Sequence, residues 1–518
     1  ALPPGVRRSR NDPRGFEERQ HVETLWTHIA DAQPSWAKSG EHLGALPAIK
    51  RLWPTLFAEE VRQETGGITS RFVVSTHAMA LAHQLEGWLK RPDPEQSLPA
   101  ELLERLAESA KTRVALPRRL VSLRPRSEAE EGEDGALRIA RQLVALLEEA
   151  QEAEQEQDRA CARALVRRAF ATGENAPDGP PLETYYALLL MDGDRMGAIL
   201  SGDKQSTITF RQSFHPQLAQ AVDDRFRGVA ALEKYLNERR PVSPNRHLAI
   251  SGALNDFSQI VVPHIVEEIF SGRLIYAGGD DVMAMFPVAD VLDAAQWLRW
   301  AYGGEFPEDP SESWESLHRR GRLAARSGFA LLRGRLMRMM GPCATASCGI
   351  VVAHHLAPLT FVLRELRQAE RKAKSSKRQR DGKTIDRDAV HVTIVKRSGN
   401  TLNLTLDWGQ PVKLLERVRN FLADPGVSRR AVYHTLEWLT HLPVNGGRPD
   451  PGMLASLLDY QLRRQAERRA REQAPALAAD LAAQAVKAQK ARDWLENFLC
   501  VAEFLAREQR SGGSDERG

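Results

Sequence analysis

The apolar positions change period along the chain. From Tyr185 the sequence reads YYALLLMD, an unbroken apolar run of strand length ending on a carboxylate. Similar runs recur in the two arms of RLIYAGGDDVMAMFP (Arg273 to Pro287), in ATASCGIVVAH (Ala344 to His354) and in VHVTIVKRSG (Val390 to Gly399). Short apolar runs bounded by Gly and Asp predict strands. Between them, LAISGALNDFSQIVVPHIVEEIF, DVLDAAQWLRWAY and LTFVLRELRQAERKAK carry helical spacing. The resulting order, strand, helix, strand, strand, helix, strand, is the ferredoxin-like βαββαβ arrangement, with one further strand after it.

The flanking regions read differently. RFVVSTHAMALAHQLEGWL passes from a β-branched run into a helix-like stretch at Thr76 to Leu89, which suits a small α/β unit. From about residue 96 to 175 the pattern is helical and highly charged, with SEAEEGEDG as a surface loop and GENAPDGPP as a boundary. From about residue 405 the chain again reads as helix, ending in a polar SGGSDERG tail that reads as disordered. The predicted division is 1–95, 96–178, 179–402 and 403–518. A length of 518 residues agrees with several domains.

Composition narrows this little. Hydrophobic residues make up 42% and charged residues 27%, ordinary for a globular protein, and a net charge of +4 does not by itself mark a nucleic-acid binder. The four cysteines, Cys161, Cys343, Cys348 and Cys500, form no ligand-spaced set, so buried, reduced thiols in a cytoplasmic protein are expected. No window approaches the roughly 18 to 20 apolar residues of a membrane span.

The chemistry sits at strand ends. Asp192 and Asp194 close the first apolar run in LLLMDGDRMG, and Asp280 and Asp281 occupy the tip of the hairpin. Adjacent carboxylates repel, and the first strand and central hairpin of a ferredoxin-like sheet are neighbours, so the separate aspartates can converge on a hard cation, Mg²⁺ or Mn²⁺. Gly278 and Gly279 allow a turn with positive φ and a close approach of nucleotide to backbone; Gly193 and Gly197 do the same after the first strand. A Gly-Gly-Asp-Asp hairpin alone would as readily be an ordinary surface turn, but the Asp-Gly-Asp on the preceding strand favours a two-metal phosphoryl-transfer site.

These blocks, LLLMDGDRMG, ALNDFSQIVVPHIVE, GRLIYAGGDDVMAMFP, ATASCGIVVAHHLAPL and the pair Ala373 and Lys374, resemble the palm region of the large subunit of type III-B CRISPR effector complexes, the Cmr complex. RFVVSTHAMAL and VHVTIVKRSGN resemble flanking blocks, so the likeness covers most of residues 40 to 400. The resemblance implies an α+β chain with two ferredoxin-like palm domains of the nucleotidyl cyclase and polymerase kind, the first degenerate, and helical domains between and after them. It implies synthesis of cyclic oligoadenylates from ATP inside an RNA-guided antiviral complex, with guide RNA, target RNA and other Cmr subunits as partners. Carried over by position, Asp192 and Asp280 would bind metal with the Gly193 carbonyl. Asp281 would share the metal or activate the 3′-hydroxyl. Gly193, Asp194, Gly278 and Gly279 would lie against the nucleotide, and Lys374 would meet the triphosphate. Ser347 matches a motif serine without an assigned role.

Two departures follow. No His-Asp dipeptide occurs and there is no room before the first palm for an HD nuclease domain, so DNA cleavage is not expected of this chain. In GEHLGALPAIKRLWP, Gly44 stands where the family often has a zinc-cluster cysteine, so a zinc site there is not expected. The run RKAKSSKRQRDGK, with seven basic residues, suits either a solvated loop or a phosphate track, and His77 either a half-buried structural histidine or a nucleotide pocket. A stand-alone diguanylate-cyclase-like enzyme and a catalytically silent nucleotide-binding scaffold subunit remain as alternative readings.

Overall fold

The computed structural model describes residues 74–512 apart from 109–113, 125–133, 153–154, 172–178, 204–206, 308–321, 381–382, 443–448 and 489; before Val74 it describes residues 25–32, 44–45, 48–49 and 52. The chain forms two units, Ala1–Val73 and Val74–Gly518, and the palm lies in the second. The first palm expected over residues 1–95 therefore falls mostly outside the described residues. So do most of SEAEEGEDG, GENAPDGPP, GEHLGALPAIKRLWP and the SGGSDERG tail.

The helices that precede the sheet include α1 (Thr76–Leu89), α2 (Gly135–Glu152) and α3 (Glu156–Ala169). The Ser75 side chain caps α1 by accepting from the Ala78 N–H at 3.0 Å. Next comes β1 (Tyr185–Gly193), followed by three short helices, Met196–Ser201, Pro216–Arg225 and Ala230–Asn237. This insertion has no counterpart in the sequence reading. The helix expected from Leu248 begins earlier, as α4 (Pro244–Asp256), with Ser243 as N-cap and Pro244 in the first turn. It continues to Ile269 through two π-helical turns, Phe257–Val261 and Ile265–Ile269. Pro263 lies between them, where it has no N–H to donate and the helix widens on both sides.

The hairpin is β2 (Arg273–Gly278) and β3 (Asp281–Pro287), followed by α5 (Val291–Gly303). A small antiparallel sheet, β4 (Ala324–Arg326), β5 (Phe329–Leu332) and β6 (Arg335–Arg338), precedes β7 (Ala346–His354) and α6 (Leu359–Ser375). A short pair, β8 (Arg378–Arg380) and β9 (Lys383–Ile385), leads to β10 (Ala389–Val395) and β11 (Thr401–Asp407). Helices α7 (Gln410–Ala423) and α8 (Ala491–Gly512) belong to the C-terminal helical region. Strand β11 runs across the boundary expected at 402/403, so helix begins only after Asp407.

The six-stranded sheet has the order β11-β10-β7-β1-β3-β2. Its neighbours are antiparallel except β7 and β10. Strands β7-β1-β3-β2 are the ferredoxin-like core, which confirms the α+β palm architecture. Side chains of β1 alternate between two cores. Tyr185, Ala187, Leu189 and Met191 join Phe257, Ile265 and Leu298 on one face; Tyr186 and Leu188 join α1, α2, α3 and α6 on the other. Coverage of both faces explains why β1 reads as continuous apolar sequence rather than as an alternation. Of the cysteines only Cys348 is buried; Cys161 and Cys343 are exposed and Cys500 is intermediate, which corrects the expectation of buried thiols. Cys161 lies on the outward side of α3, whose buried face is Ala162, Leu165, Val166 and Ala169. Among the described residues no helix is long and apolar enough to cross a membrane.

Candidate active site

The register places the carboxylates. Asp192 stands near the end of β1 opposite Ser347 of β7, and Met191 pairs with Val282, the second residue of β3. The β2–β3 connection is two residues, Gly279 and Asp280, with Gly279 at φ 67° and Gly278 paired with Asp281. That tight turn sets Asp280 over the end of β1. Ligand-capable oxygens of Asp192, Asp280 and Asp281 all lie within 4.8 Å of one another. Gly193 makes the approach possible, because a Cβ there would stand 2.8 Å from the Asp280 Cβ and 2.4 Å from the Tyr302 hydroxyl.

Burial raises the pKa of Asp280, the Asp281 charge adds to it, and burial raises Asp281 as well. Three half-buried carboxylates so close are costly without positive charge, and an all-oxygen donor set suits Mg²⁺ or Mn²⁺. The Tyr302 hydroxyl is buried behind the turn with no hydrogen-bond partner among the described residues, a further polar atom left over at the site. The residues present thus fit a hard divalent ion.

Lys374, in the last turn of α6, reaches the same place. Its Nζ contacts the Asp192 carboxylate and lies 2.6 Å from Glu370 Oε1. Glu370 has no place in the sequence reading, although its i, i+4 spacing to Lys374 was visible. Helix α6 sits tightly on β7 because Gly349 has no side chain; a Cβ there would be 2.4 Å from the Glu370 backbone nitrogen. Burial, followed by the charge of Arg387, lowers the Lys374 pKa.

Asp194 is placed apart from the cluster. It is 4% exposed and accepts from Thr345 Oγ1 at 2.8 Å, Ser347 Oγ at 2.7 Å and the Asp388 N–H at 2.9 Å. Its carboxylate ties the loop after β1 to β7 and to the lead into β10, and Ser347 gains a structural role from it. Gly278 lies beside the cluster with the Tyr276 ring over its Cα, where a Cβ would be 2.2 Å from the Tyr276 hydroxyl. Gly197 lies in the short helix Met196–Ser201, with open space where a Cβ would go. In the basic run, Arg378 and Arg380 pair with Asp407, Arg380 also with Asp388, and Lys372 donates to Asn403 Oδ1 at 2.7 Å.

Residues 185–317 match the family model for the second palm domain of Cas10/Cmr2. This stretch, from β1 through α5, is similar to that palm domain. A CRISPR system Cmr subunit Cmr2 from Pyrococcus furiosus is 29% identical over 267 residues, 51% of this chain and 25% of the relative. A Cmr2 from Saccharolobus solfataricus is 33% identical over 124 residues, 24% and 11% of the two chains. Among solved structures, a chain of the type III-B Cmr-beta complex in its apo state has a TM-score of 0.58 at 16% identity, covering 86% of this chain and 50% of that one. A chain of the same complex bound to cognate target RNA has a TM-score of 0.55 at 17% identity, covering 90% and 50%. The matches thus take in a quarter of the Pyrococcus Cmr2 and half of each Cmr-beta chain. The Cas10/Cmr2 palm gives the chain a nucleotidyltransferase-like fold.

Proposed function

We propose that this chain is the large subunit of an RNA-guided type III-B complex and that its palm joins ATP molecules into cyclic oligoadenylates when target RNA is bound. The observation that carries this reading is the convergence of Asp192, Asp280 and Asp281 within 4.8 Å at the meeting of β1 and the β2–β3 turn. Asp192 and Asp280 are the proposed metal ligands with the Gly193 carbonyl, and Asp281 completes the oxygen set. Divalent ions held there lower the pKa of an attacking hydroxyl and offset triphosphate charge. Lys374 supplies a mobile point charge that can leave Asp192 for a phosphate oxygen, with Glu370 steadying its Nζ. Gly193, Gly278 and Gly279 keep side chains out of the approach to the carboxylates, and Asp194 holds the loop beneath them rather than touching nucleotide.

The test mixes the assembled complex, Mg²⁺ or Mn²⁺ and cognate target RNA with ATP, and in a parallel arm with GTP, and identifies products by mass spectrometry. Oligoadenylate dependent on target RNA is expected. Its absence from an intact complex, or a GTP product alone, overturns the reading. The Lys374 contact with Asp192 favours one rival, a silent palm whose cation site is filled by its own lysine. An Asp280→Ala, Asp281→Ala complex discriminates: a scaffold has no product to lose.

A further inference from the structure

A cavity of about 290 Å³ opens at the opposite end of β1 from the carboxylates, among α1, α3 and the ends of β1 and β7. Tyr185 pairs with His354 there, whereas Asp192 pairs with Ser347 at the carboxylate end. At a rise of about 3.3 Å per residue the two ends are about 23 Å apart along the strand. Leu81, Leu147 and Leu182 supply an apolar wall. Most of the polar lining is imidazole and guanidinium.

His77 of α1 and His355 have ring centroids 3.7 Å apart, and His355 stacks on His354 at 4.4 Å. The His355 backbone N–H donates to the Thr184 carbonyl and its own carbonyl accepts from Thr76 Oγ1, so the ring is fixed in place. The buried His355 Nδ1 has no partner among the described residues. His354 Nδ1 accepts from the Leu356 N–H at 3.2 Å, which leaves Nε2 to carry the proton of the neutral ring. Arg163 of α3 and Arg397 of the turn after β10 also line the cavity. The Arg397 side chain donates to nothing among the described residues, and Arg163 makes one long contact, 3.4 Å, to Gln151.

We propose that this cavity binds a small phosphate-bearing anion, inorganic phosphate or a nucleoside monophosphate, held by Arg163 and Arg397 with imidazole donors from His77, His354 and His355. An apolar wall with a few convergent polar groups is the usual make-up of a small-molecule site. The one acid in the lining, Glu183, is paired with His83, and neither Arg163 nor Arg397 has a carboxylate partner among the described residues, so these guanidiniums lack a counter-charge; charge-assisted bonds to a phosphate supply it.

The electrostatics agree with the geometry. Burial, reinforced by neighbouring histidines and Arg163, lowers His77 to about 4 and His355 to about 2. Burial with Arg397 and Arg163 lowers His354 to about 4. An oxyanion reverses this penalty, so binding strengthens as pH falls. The other groups facing the cavity are Arg167, bonded to the Gly179 and Pro180 carbonyls, and Glu183, whose Oε1 is 2.8 Å from His83 Nδ1. Glu508 of α8, which burial raises to about 7, is electrostatically coupled to Glu183.

The experiment follows ¹³C-labelled histidine signals of the full chain in chelator, across pH, with inorganic phosphate alone and with AMP alone. Either ligand is expected to move the same three histidines to higher pKa. Binding should weaken at least about tenfold in the Arg163→Gln, Arg397→Gln double variant, on the scale of charge-assisted bonds lost. Equal shifts from both ligands assign an oxyanion site, and tighter AMP assigns a nucleotide site. Binding should persist in Asp280→Ala, Asp281→Ala, which separates this site from the palm. No histidine shift at millimolar ligand, or shifts unchanged in the double arginine variant, overturns the proposal. Since Arg397 is exposed, the single Arg397→Gln variant guards against misfolding as the cause of loss.

Discussion

Gly193 and Asp280 lie so close that a Cβ on the glycine would stand 2.8 Å from that of the aspartate. The carboxylate cluster depends on this contact between the end of β1 and the hairpin turn. Gly193→Ala should push Asp280 away at an overpacking cost of about 1–3 kcal/mol. The palm should remain folded by circular dichroism while Mn²⁺ no longer raises the melting temperature. Full retention of that Mn²⁺ effect would show that the contact does not govern the site.

Asp194 and Asp280 should respond in opposite ways to removal. Asp194→Ala leaves three donors facing a buried void and is expected to cost about 3 kcal/mol or more, read by chemical denaturation. Asp280→Asn removes a like charge from a crowded pair. It should leave stability without metal unchanged or slightly higher at neutral pH and abolish stabilisation by Mn²⁺.

The Lys374 ammonium occupies the place beside Asp192 that a cation would take. Lys374→Met should therefore strengthen Mn²⁺ binding several-fold while reducing any ATP turnover, as seen by Mn²⁺ titration beside product assays. Weaker Mn²⁺ binding in the variant would rule out the competition.

Glu416 of α7 carries a pH signature. Burial, then the charge of Asp293 in α5, raises its pKa from 4.5 to about 8, and Gln296 Nε2 donates to it at 2.8 Å. The folded state prefers the protonated acid, so this contribution to stability is full below the ordinary value of 4.5 and is lost as pH rises to about 8. Glu416→Gln should flatten the melting temperature across that window and raise it above pH 8. An unchanged pH profile would remove Glu416 as the cause.

The palm was legible because its signals are local. YYALLLMD, the GGDD hairpin and ATASCGIVVAH are each continuous apolar runs with turn residues at their ends, and β1, β2–β3 and β7 form where those runs lie. The β4–β6 sheet escaped because its turns use Ser327-Gly328 and Arg333-Gly334, both pairs at positive φ, where Asn-Gly or Asp-Gly is the usual signal. The insertion after β1 escaped because its short helices have weak periodicity and few buried residues.

Sequence alone determined the succession of strands and helices in the core, the helix that carries Lys374 and the Gly-Gly-Asp-Asp turn, since each follows from neighbours in the chain. Only the tertiary structure decided which aspartates meet. Asp194 and Asp192 are two residues apart, a spacing that a strand would put on one face, yet β1 ends at Gly193 and the chain turns, so Asp194 goes inward to Thr345 and Ser347 while Asp192 meets Asp280. It also brought Glu370 and Lys374 to Asp192, and His77 to His355, across hundreds of residues. Such contacts depend on how helices pack on a sheet, for which no short stretch of sequence carries a signal.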